Sequence, residues 1–124
     1  MDQIILIARE WKVRTFLMAQ LSEEGYEIMA LRTIEEAVML LSRGMVRPRL
    51  IILDTPGQSL KEATLADLRA LTDDAPILVC TGPFDLAQLD FGEAGFTDLL
   101  TRPFTIQDVV NKVREVLGKE VIVR

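Results

Sequence analysis

The sequence predicts an α/β fold in which five parallel strands form one sheet with helices on both faces. Two observations predict it. Five short apolar runs rich in Ile, Leu and Val alternate with helical segments, and three of the runs are nearly continuous, as in strands buried on both faces. Such alternation gives parallel strands joined by right-handed crossovers. The flavodoxin-like strand order 2-1-3-4-5 is the doubly wound arrangement that we expect.

The predicted strands are residues 3–7, 27–31, 50–54, 77–81 and 96–100. The predicted helices are 11–24, a second that opens at 33 and closes by 44, 60–71, 85–93, and a fifth from 105 to 118. In the first helix Val13, Leu17 and Leu21 recur at four-residue spacing, which is typical of a packed helical face. Thr33 and Glu36 have the spacing of a capping box.

The composition fits one folded domain, which we place at residues 1–118, followed by a short tail at 119–124. The chain has 124 residues, of which 49% are hydrophobic, enough for a single core. The net charge of -5 argues against direct binding to nucleic acid. No run of eighteen apolar residues and no secretory signal occurs, so we expect a cytoplasmic protein that does not bind or cross a membrane.

Rare residue types limit the chemistry. The chain has no histidine, which excludes His-based acid–base catalysis, His metal ligation and a Ser-His-Asp triad, and no enzymatic activity is expected. Cys80 is the only cysteine; it lies in an apolar run, and we predict a buried core residue without a disulfide. Trp11 and Phe16 of the first helix are expected to be core or half-buried positions.

Four segments, in order and with a constant βα rhythm, match the motifs of one known family. The opening run Ile4 to Glu10 resembles that family's Ile-Leu-Ile-Val-Asp-Asp-Glu, and residues 94–104 resemble its Ala-Gly-Ala-Asp-Asp-Tyr-Leu-x-Lys-Pro-Phe. Residues 50–54 resemble its strand that ends in Asp, and residues 76–82 resemble its strand that ends in Thr or Ser and a small residue. Together the segments resemble the receiver domain of two-component response regulators, the CheY-like domains, in which that Asp accepts a phosphoryl group. The resemblance covers nearly the whole chain.

The resemblance implies a switch built around one aspartate. Asp54 matches the nucleophile that accepts the phosphoryl group, Thr81 matches the hydroxyl that contacts it, and Gly82 leaves room for it. Arg102 stands in place of the family's Lys, with the same charge but a different geometry, and Pro103 resembles the family's cis-proline. Taken without the resemblance, Asp54 is an acid that caps a loop and Thr81 is a strand-end hydroxyl bonded to backbone.

The metal site that the resemblance implies lacks two of its acidic ligands in this sequence. Ala8 and Arg9 replace the two acids that hold Mg²⁺ in the family. Alanine has no ligand atom, and a guanidinium repels a cation. Glu10 and Asp54 remain as candidate ligands, so the sequence predicts no cofactor, or at most a weak Mg²⁺ site.

The crevice at the carboxyl ends of the first and third strands is the expected functional site, because it is the topological switch point of this strand order. Arg9, Glu10 and Asp54 should converge there. We hypothesise that Arg9 crosses the crevice and pairs with Asp54, with Arg102 on the other side, which would keep the carboxylate ionised. The alternative is that Arg9 is a solvated loop residue.

These observations favour an atypical receiver domain in two-component (phosphorelay) signal transduction that acts through protein–protein contacts, with impaired Mg²⁺-dependent phosphorylation. The expected partner is a sensor kinase, a phosphotransfer protein or a downstream effector. The face formed by the fourth helix, fifth strand and fifth helix is the candidate contact surface, for that partner or for a homodimer. One alternative is a working receiver phosphorylated on Asp54. Others are a small flavodoxin-like enzyme or nucleotide-binding module, which the absence of a Gly-rich phosphate loop disfavours, and a domain cut from a longer protein.

Overall fold

A computed structural model describes residues 3–118 and contains one sheet of five parallel strands. The strands are β1 (Gln3–Ile7), β2 (Glu27–Leu31), β3 (Leu50–Asp54), β4 (Ile77–Thr81) and β5 (Asp98–Thr101). The helices are α1 (Trp11–Glu23), α2 (Ile34–Ser42), α3 (Glu62–Leu71), α4 (Pro83–Gln88) and α5 (Ile106–Gly118). The strand order is β2-β1-β3-β4-β5, so the predicted fold is confirmed. The predicted tail at 119–124 lies outside the described residues.

Two apolar layers enclose the sheet, one on each face. The central strands β1, β3 and β4 are buried on both faces, which explains why their sequences do not alternate. On one face α1 and α5 pack over Leu6 and Ile52, and α5 buries the predicted stripe with residues such as Val113. On the other face α2 and α3 pack over Ile51 and Leu53. Alternate residues of each strand therefore contact opposite layers, and the strand ends are held at one fixed edge.

Local capping sets where two of the helices begin. Glu36 N–H donates to the Thr33 hydroxyl at 3.2 Å, and Thr33 N–H donates to the Glu36 carboxylate at 3.1 Å, so the predicted capping box is confirmed. A reciprocal pair of the same kind opens α5: Asp108 N–H donates to the Thr105 hydroxyl at 3.1 Å, and Thr105 N–H donates to the Asp108 carboxylate at 2.8 Å.

The predicted bounds of β5, α3 and α4 were wrong. β5 begins at Asp98 rather than at 96, because Phe96 is fully buried against Phe91 in an edge-to-face contact and its N–H donates to the Phe91 carbonyl at 2.8 Å. α3 begins at Glu62 rather than at 60, after the extended Lys61. α4 begins with Pro83 at its first turn, where a missing N–H is tolerated, and it ends at Gln88 because Leu89 is extended.

Burial of the rare residues follows the predictions only in part. Cys80 is buried, and burial, together with the nearby charge of Asp54, raises the pKa of its thiol to about 12. Trp11 and Phe16 were expected in the core or half-buried, but they are 62% and 58% exposed. None of the helices described between residues 3 and 118 has the length and apolar character needed to cross a bilayer.

Candidate functional site

The carboxyl ends of β1, β3, β4 and β5 bring the predicted site residues to one edge of the sheet. Asp54 ends β3 and pairs in register with Cys80 of β4, so Thr81 is the next residue along that strand edge. Thr81 pairs in register with Thr101 of β5, and Arg102 follows directly. The topology therefore places the predicted nucleophile, hydroxyl and cation side by side, as the parallel order requires.

Asp54 and Arg102 form an ion pair at the centre of this edge. Arg102 Nη2 donates to Asp54 Oδ1 at 2.5 Å, and Asp54 is only 1% exposed. The guanidinium also lies over the ring of Phe104, with 4.8 Å between its Cζ and the ring centroid. The backbone N–H of Arg102 donates to the Thr81 carbonyl at 2.8 Å, and the Arg102–Pro103 peptide bond is cis, as predicted for Pro103. Arg102 is thus fixed by its backbone, its charge and an aromatic neighbour.

The pair is incompletely satisfied. Within residues 3–118, Asp54 Oδ2 and Arg102 Nη1 are buried atoms without a hydrogen-bond partner. Burial raises the pKa of Asp54; the hydrogen bond and the charge of Arg102 lower it by less, and the charge of Glu10 adds to the rise. Arg102 favours the ionised carboxylate, as expected of a guanidinium neighbour, but only one arginine makes contact and desolvation outweighs it, so the net shift of the Asp54 pKa is upward.

The raised pKa of Asp54 predicts a specific pH dependence. The folded protein holds this proton more tightly than the unfolded chain, so Asp54 contributes stability that is present below its usual value of 3.8 and is lost as the pH rises through its folded pKa. The variant Asp54→Asn has no titrating group at this position, so its stability does not fall with rising pH for this reason. Urea unfolding of both proteins from about pH 3.5 to 7 should show the free energy of unfolding of the variant rising relative to that of the wild type, by about 1.4 kcal/mol for each tenfold difference in proton affinity between the folded and unfolded states. A relative loss with rising pH would contradict the assignment.

Arg9 does not pair with Asp54, contrary to the hypothesis drawn from the sequence. Arg9 is exposed, and its aliphatic stem lies across Gly57, where an added Cβ would come within 2.9 Å of Arg9 Cγ. Gly57 has a φ of +76°, so glycine suits this position for its backbone and for the close approach of Arg9. The structure thus favours the alternative, a loop arginine. Glu10 is the backbone cap of α1 without a side-chain capping bond, and it acts on Asp54 through its charge alone.

The hydroxyl of Thr81 is fully buried and belongs to a network of three side chains. Thr55 Oγ1 lies 2.9 Å from Thr81 Oγ1 and 2.9 Å from Asp85 Oδ2, while Thr81 Oγ1 lies 3.4 Å from the same Asp85 oxygen. The predicted bond from a strand-end hydroxyl to backbone is therefore replaced by side-chain bonds. A Cβ added to Gly82 would meet nothing within 4 Å, so the space at Gly82 is open.

Two members of this site escaped the sequence analysis. Thr55 follows Asp54 directly, and Asp85 comes four residues after Thr81, in the first turn of α4. The spacing of Thr81 and Asp85 across a Gly-Pro helix start was the available signal, since it brings a first-turn acid back toward the strand end. The wrong start predicted for α4 hid this signal.

The residues at this edge do not fit a Mg²⁺ site. The ion requires about six oxygen ligands in near-octahedral geometry. Of the two candidate ligands, Glu10 makes no side-chain capping bond at the start of α1 and Asp54 Oδ1 accepts a hydrogen bond from Arg102, while Ala8 is buried and has no ligand atom. No group of three acidic, His or Cys side chains within residues 3–118 is arranged to hold a metal.

The fold and the site together define a doubly wound α/β domain with an aspartate at the end of β3, a hydroxyl at the end of β4 and a cation after β5. No family model matches the chain. The response regulator MprA of Mycobacterium leprae is 29% identical over 94% of this chain and 51% of its own length, and ycf27 of Porphyridium aerugineum is 27% identical over 95% and 49%. The chain has the fold of CheY-like receiver domains and is similar in sequence to these regulators, and it spans about half the length of these curated relatives.

A solved structure supports the fold. The receiver domain of the sensor histidine kinase PA1611 from Pseudomonas aeruginosa superposes with a TM-score of 0.77 at 21% identity, over 94% of this chain and 98% of that one. That domain holds a magnesium ion coordinated in its active-site cleft.

Proposed function

We propose that this receiver domain acts in two-component signalling by presenting its surface to a protein partner in one fixed state, without relying on Mg²⁺-dependent phosphorylation of Asp54. The contact between Arg102 and the buried Asp54 carries the proposal. In it a side chain of the domain itself supplies the positive charge that a phosphorylated site needs from a metal.

The geometry argues against efficient attack by Asp54 on a phosphoryl donor. One carboxylate oxygen is engaged by Arg102, and the other is buried without a partner among the described residues. Transfer of a phosphoryl group depends on cations that neutralise its equatorial oxygens, and Arg102 is the one cation that contacts Asp54 within residues 3–118. A phosphoryl group on Asp54 would also be repelled by the negative charge of Glu10. Within residues 3–118 no group of three acidic, His or Cys side chains could hold a metal ion that would offset this repulsion.

The role that follows is one of contact rather than catalysis. We propose a cytoplasmic interaction domain whose partner is a sensor kinase, a phosphotransfer protein or a downstream effector. The surface made by α4, β5 and α5 is the proposed contact face, for a partner or for a second copy of the domain. Residues 1–118 are proposed as the functional unit, with 119–124 as its tail.

Phosphorylation with a small-molecule donor tests the proposal. The wild-type domain is incubated with acetyl phosphate and MgCl₂, and the intact mass is followed over time. We expect no mass increase of one phosphoryl group beyond that of an Asp54→Asn control run in parallel. A saturating increase that the control lacks would replace the proposal with its alternative, a working receiver.

That alternative is favoured by one observation. Asp54, Thr81 and the open space beside Gly82 keep the positions that phosphorylation would use. A donor with its own cations, such as a kinase domain that brings Mg²⁺ to the contact, could act where a free donor does not. Repeating the mass measurement with the cognate kinase distinguishes the two, because only a working receiver then gains the phosphoryl group.

A further inference from the structure

We propose that Asp85 is a positioning residue that holds the hydroxyl of Thr81, and with it the first turn of α4, in one orientation. Nothing in the family resemblance assigns a role to this acid. The inference deepens the proposed function, since Thr81 is the side chain through which a receiver would sense a phosphoryl group. Asp85 supplies an anionic oxygen to that hydroxyl network from within the chain.

The proton count of the network shows that it ends on Asp85. Thr55 and Thr81 each have one hydroxyl proton, and the carboxylate can only accept. In one order Thr81 donates to Thr55 at 2.9 Å and Thr55 donates to Asp85 at 2.9 Å. In the reverse order Thr55 donates to Thr81, which donates to Asp85 at 3.4 Å. In both orders the two hydroxyl protons are donated to atoms of these three side chains. The first order uses the two contacts of 2.9 Å.

The two hydroxyls donate toward Asp85 although a second carboxylate, that of Asp54, lies next to Thr55 in the sequence. Asp54 Oδ2 is buried and has no hydrogen-bond partner within residues 3–118, so neither Thr55 nor Thr81 donates to it. A buried acceptor without a partner is unfavourable, because it has lost its hydrogen bonds to water and has gained none in the protein. The two hydroxyls nevertheless point to the carboxylate on α4. The network therefore directs Thr81 away from the position of the phospho-acceptor.

The same contacts attach α4 to the sheet. Gly82 caps α4 without a side chain, so no local capping bond fixes the start of this six-residue helix. The Thr55 N–H donates to the Cys80 carbonyl at 3.0 Å, which fixes Thr55 at the end of β4. Asp85 then joins the first turn of α4 to Thr55. A helix this short has little stability of its own, so we infer that this tie sets its position.

Side-chain couplings and amide exchange test the role. Three-bond NMR couplings report the χ1 rotamer of Thr81, which should be single in the wild type and averaged in Asp85→Ala and Thr55→Val. Asp85→Asn keeps an acceptor oxygen and should restore the single rotamer. The N–H groups of Leu86 and Leu89, which donate within α4 to Gly82 and Asp85, should exchange about tenfold faster or more in Asp85→Ala.

A matched control separates the network from general helix effects. Glu62, like Asp85, is an acid in the first turn of a helix, but it is exposed, and Glu62→Ala removes the same charge from α3. It should leave the Thr81 couplings unchanged. An unaltered Thr81 rotamer in Asp85→Ala, in a variant shown to be folded by its amide spectrum, would overturn the proposal. This result is independent of phosphorylation, so it fails or succeeds separately from the proposed function.

Discussion

Arg102→Ala should lower the free energy of unfolding by about 3 kcal/mol at pH 7, because it leaves the carboxylate of Asp54 buried without a counter-charge. Asp54 is 1% exposed, while the side chain of Arg102 is 32% exposed. Water can therefore enter where the guanidinium was, which places the expected loss at the low end of the usual range for a broken buried pair. Urea unfolding measures it. The loss should shrink toward acidic pH, where Asp54 becomes protonated in the folded state.

Three comparisons make the Arg102 result specific. Arg102→Lys keeps the charge but loses the planar contact with Phe104, and it should cost about 1 kcal/mol. Arg9→Ala removes the same charge from an exposed loop and should change stability by less than about 0.5 kcal/mol. In an Asp54→Asn background the effect of Arg102→Ala should fall markedly, since no buried charge is left unpaired. An equal loss in both backgrounds would mean that Arg102 stabilises the fold through packing alone.

Restoring the acidic residues should create a Mg²⁺ response that the wild type lacks. The variant Ala8→Asp, Arg9→Asp, Arg102→Lys adds two carboxylates beside Glu10 and Asp54 and removes the guanidinium from Asp54 Oδ1. Because position 8 is fully buried, the new acid should destabilise the metal-free protein. Mg²⁺ at ten times its Kd should then raise the free energy of unfolding by about 1.4 kcal/mol. Thermal and urea unfolding with and without MgCl₂ measure the gain.

Two control proteins show whether the gain in stability comes from Mg²⁺ bound at the new carboxylates and Asp54. Wild type and the same variant with Asp54→Asn should gain nothing beyond what NaCl of equal ionic strength provides. A wild-type gain equal to that of the variant would show that Ala8 and Arg9 do not prevent metal binding. A folded variant without any gain would show that something other than the missing acids and Arg102 limits the site.

The fold was predictable because its signals are local and repeated. β1, β3 and β4 are nearly continuous apolar runs, which is the pattern expected of strands buried on both faces. The boundaries of α4 and β5 were not predictable in the same way. Phe96 has the sequence character of a strand residue, yet its place is set by packing against Phe91, a contact between segments that the pattern alone does not reveal.

Sequence predicted some members of the candidate site but neither its pairing nor the contributions of Thr55 and Asp85. Parallel topology alone brings Asp54, Thr81 and Arg102 together at one edge. Which arginine reaches Asp54 depends on loop geometry: the left-handed Gly57 accepts the stem of Arg9, while the backbone of Arg102 is bonded to Thr81. The direction of the Asp54 pKa likewise follows from how far burial outweighs one guanidinium, which requires the three-dimensional structure.

The most direct test of the central claim follows Trp11 and the amide NMR signals of the wild type during addition of Mg²⁺ and then beryllofluoride, a mimic of the phosphoryl group. Trp11 begins α1 directly after Glu10 and is 62% exposed, so it reports on the loop beside the site. If the pair of Asp54 with Arg102 holds the domain in one state, neither the fluorescence nor the signals of Thr81 and its neighbours should show a saturable change. A saturable change that Asp54→Asn abolishes would contradict the account and identify a domain that still switches on its aspartate.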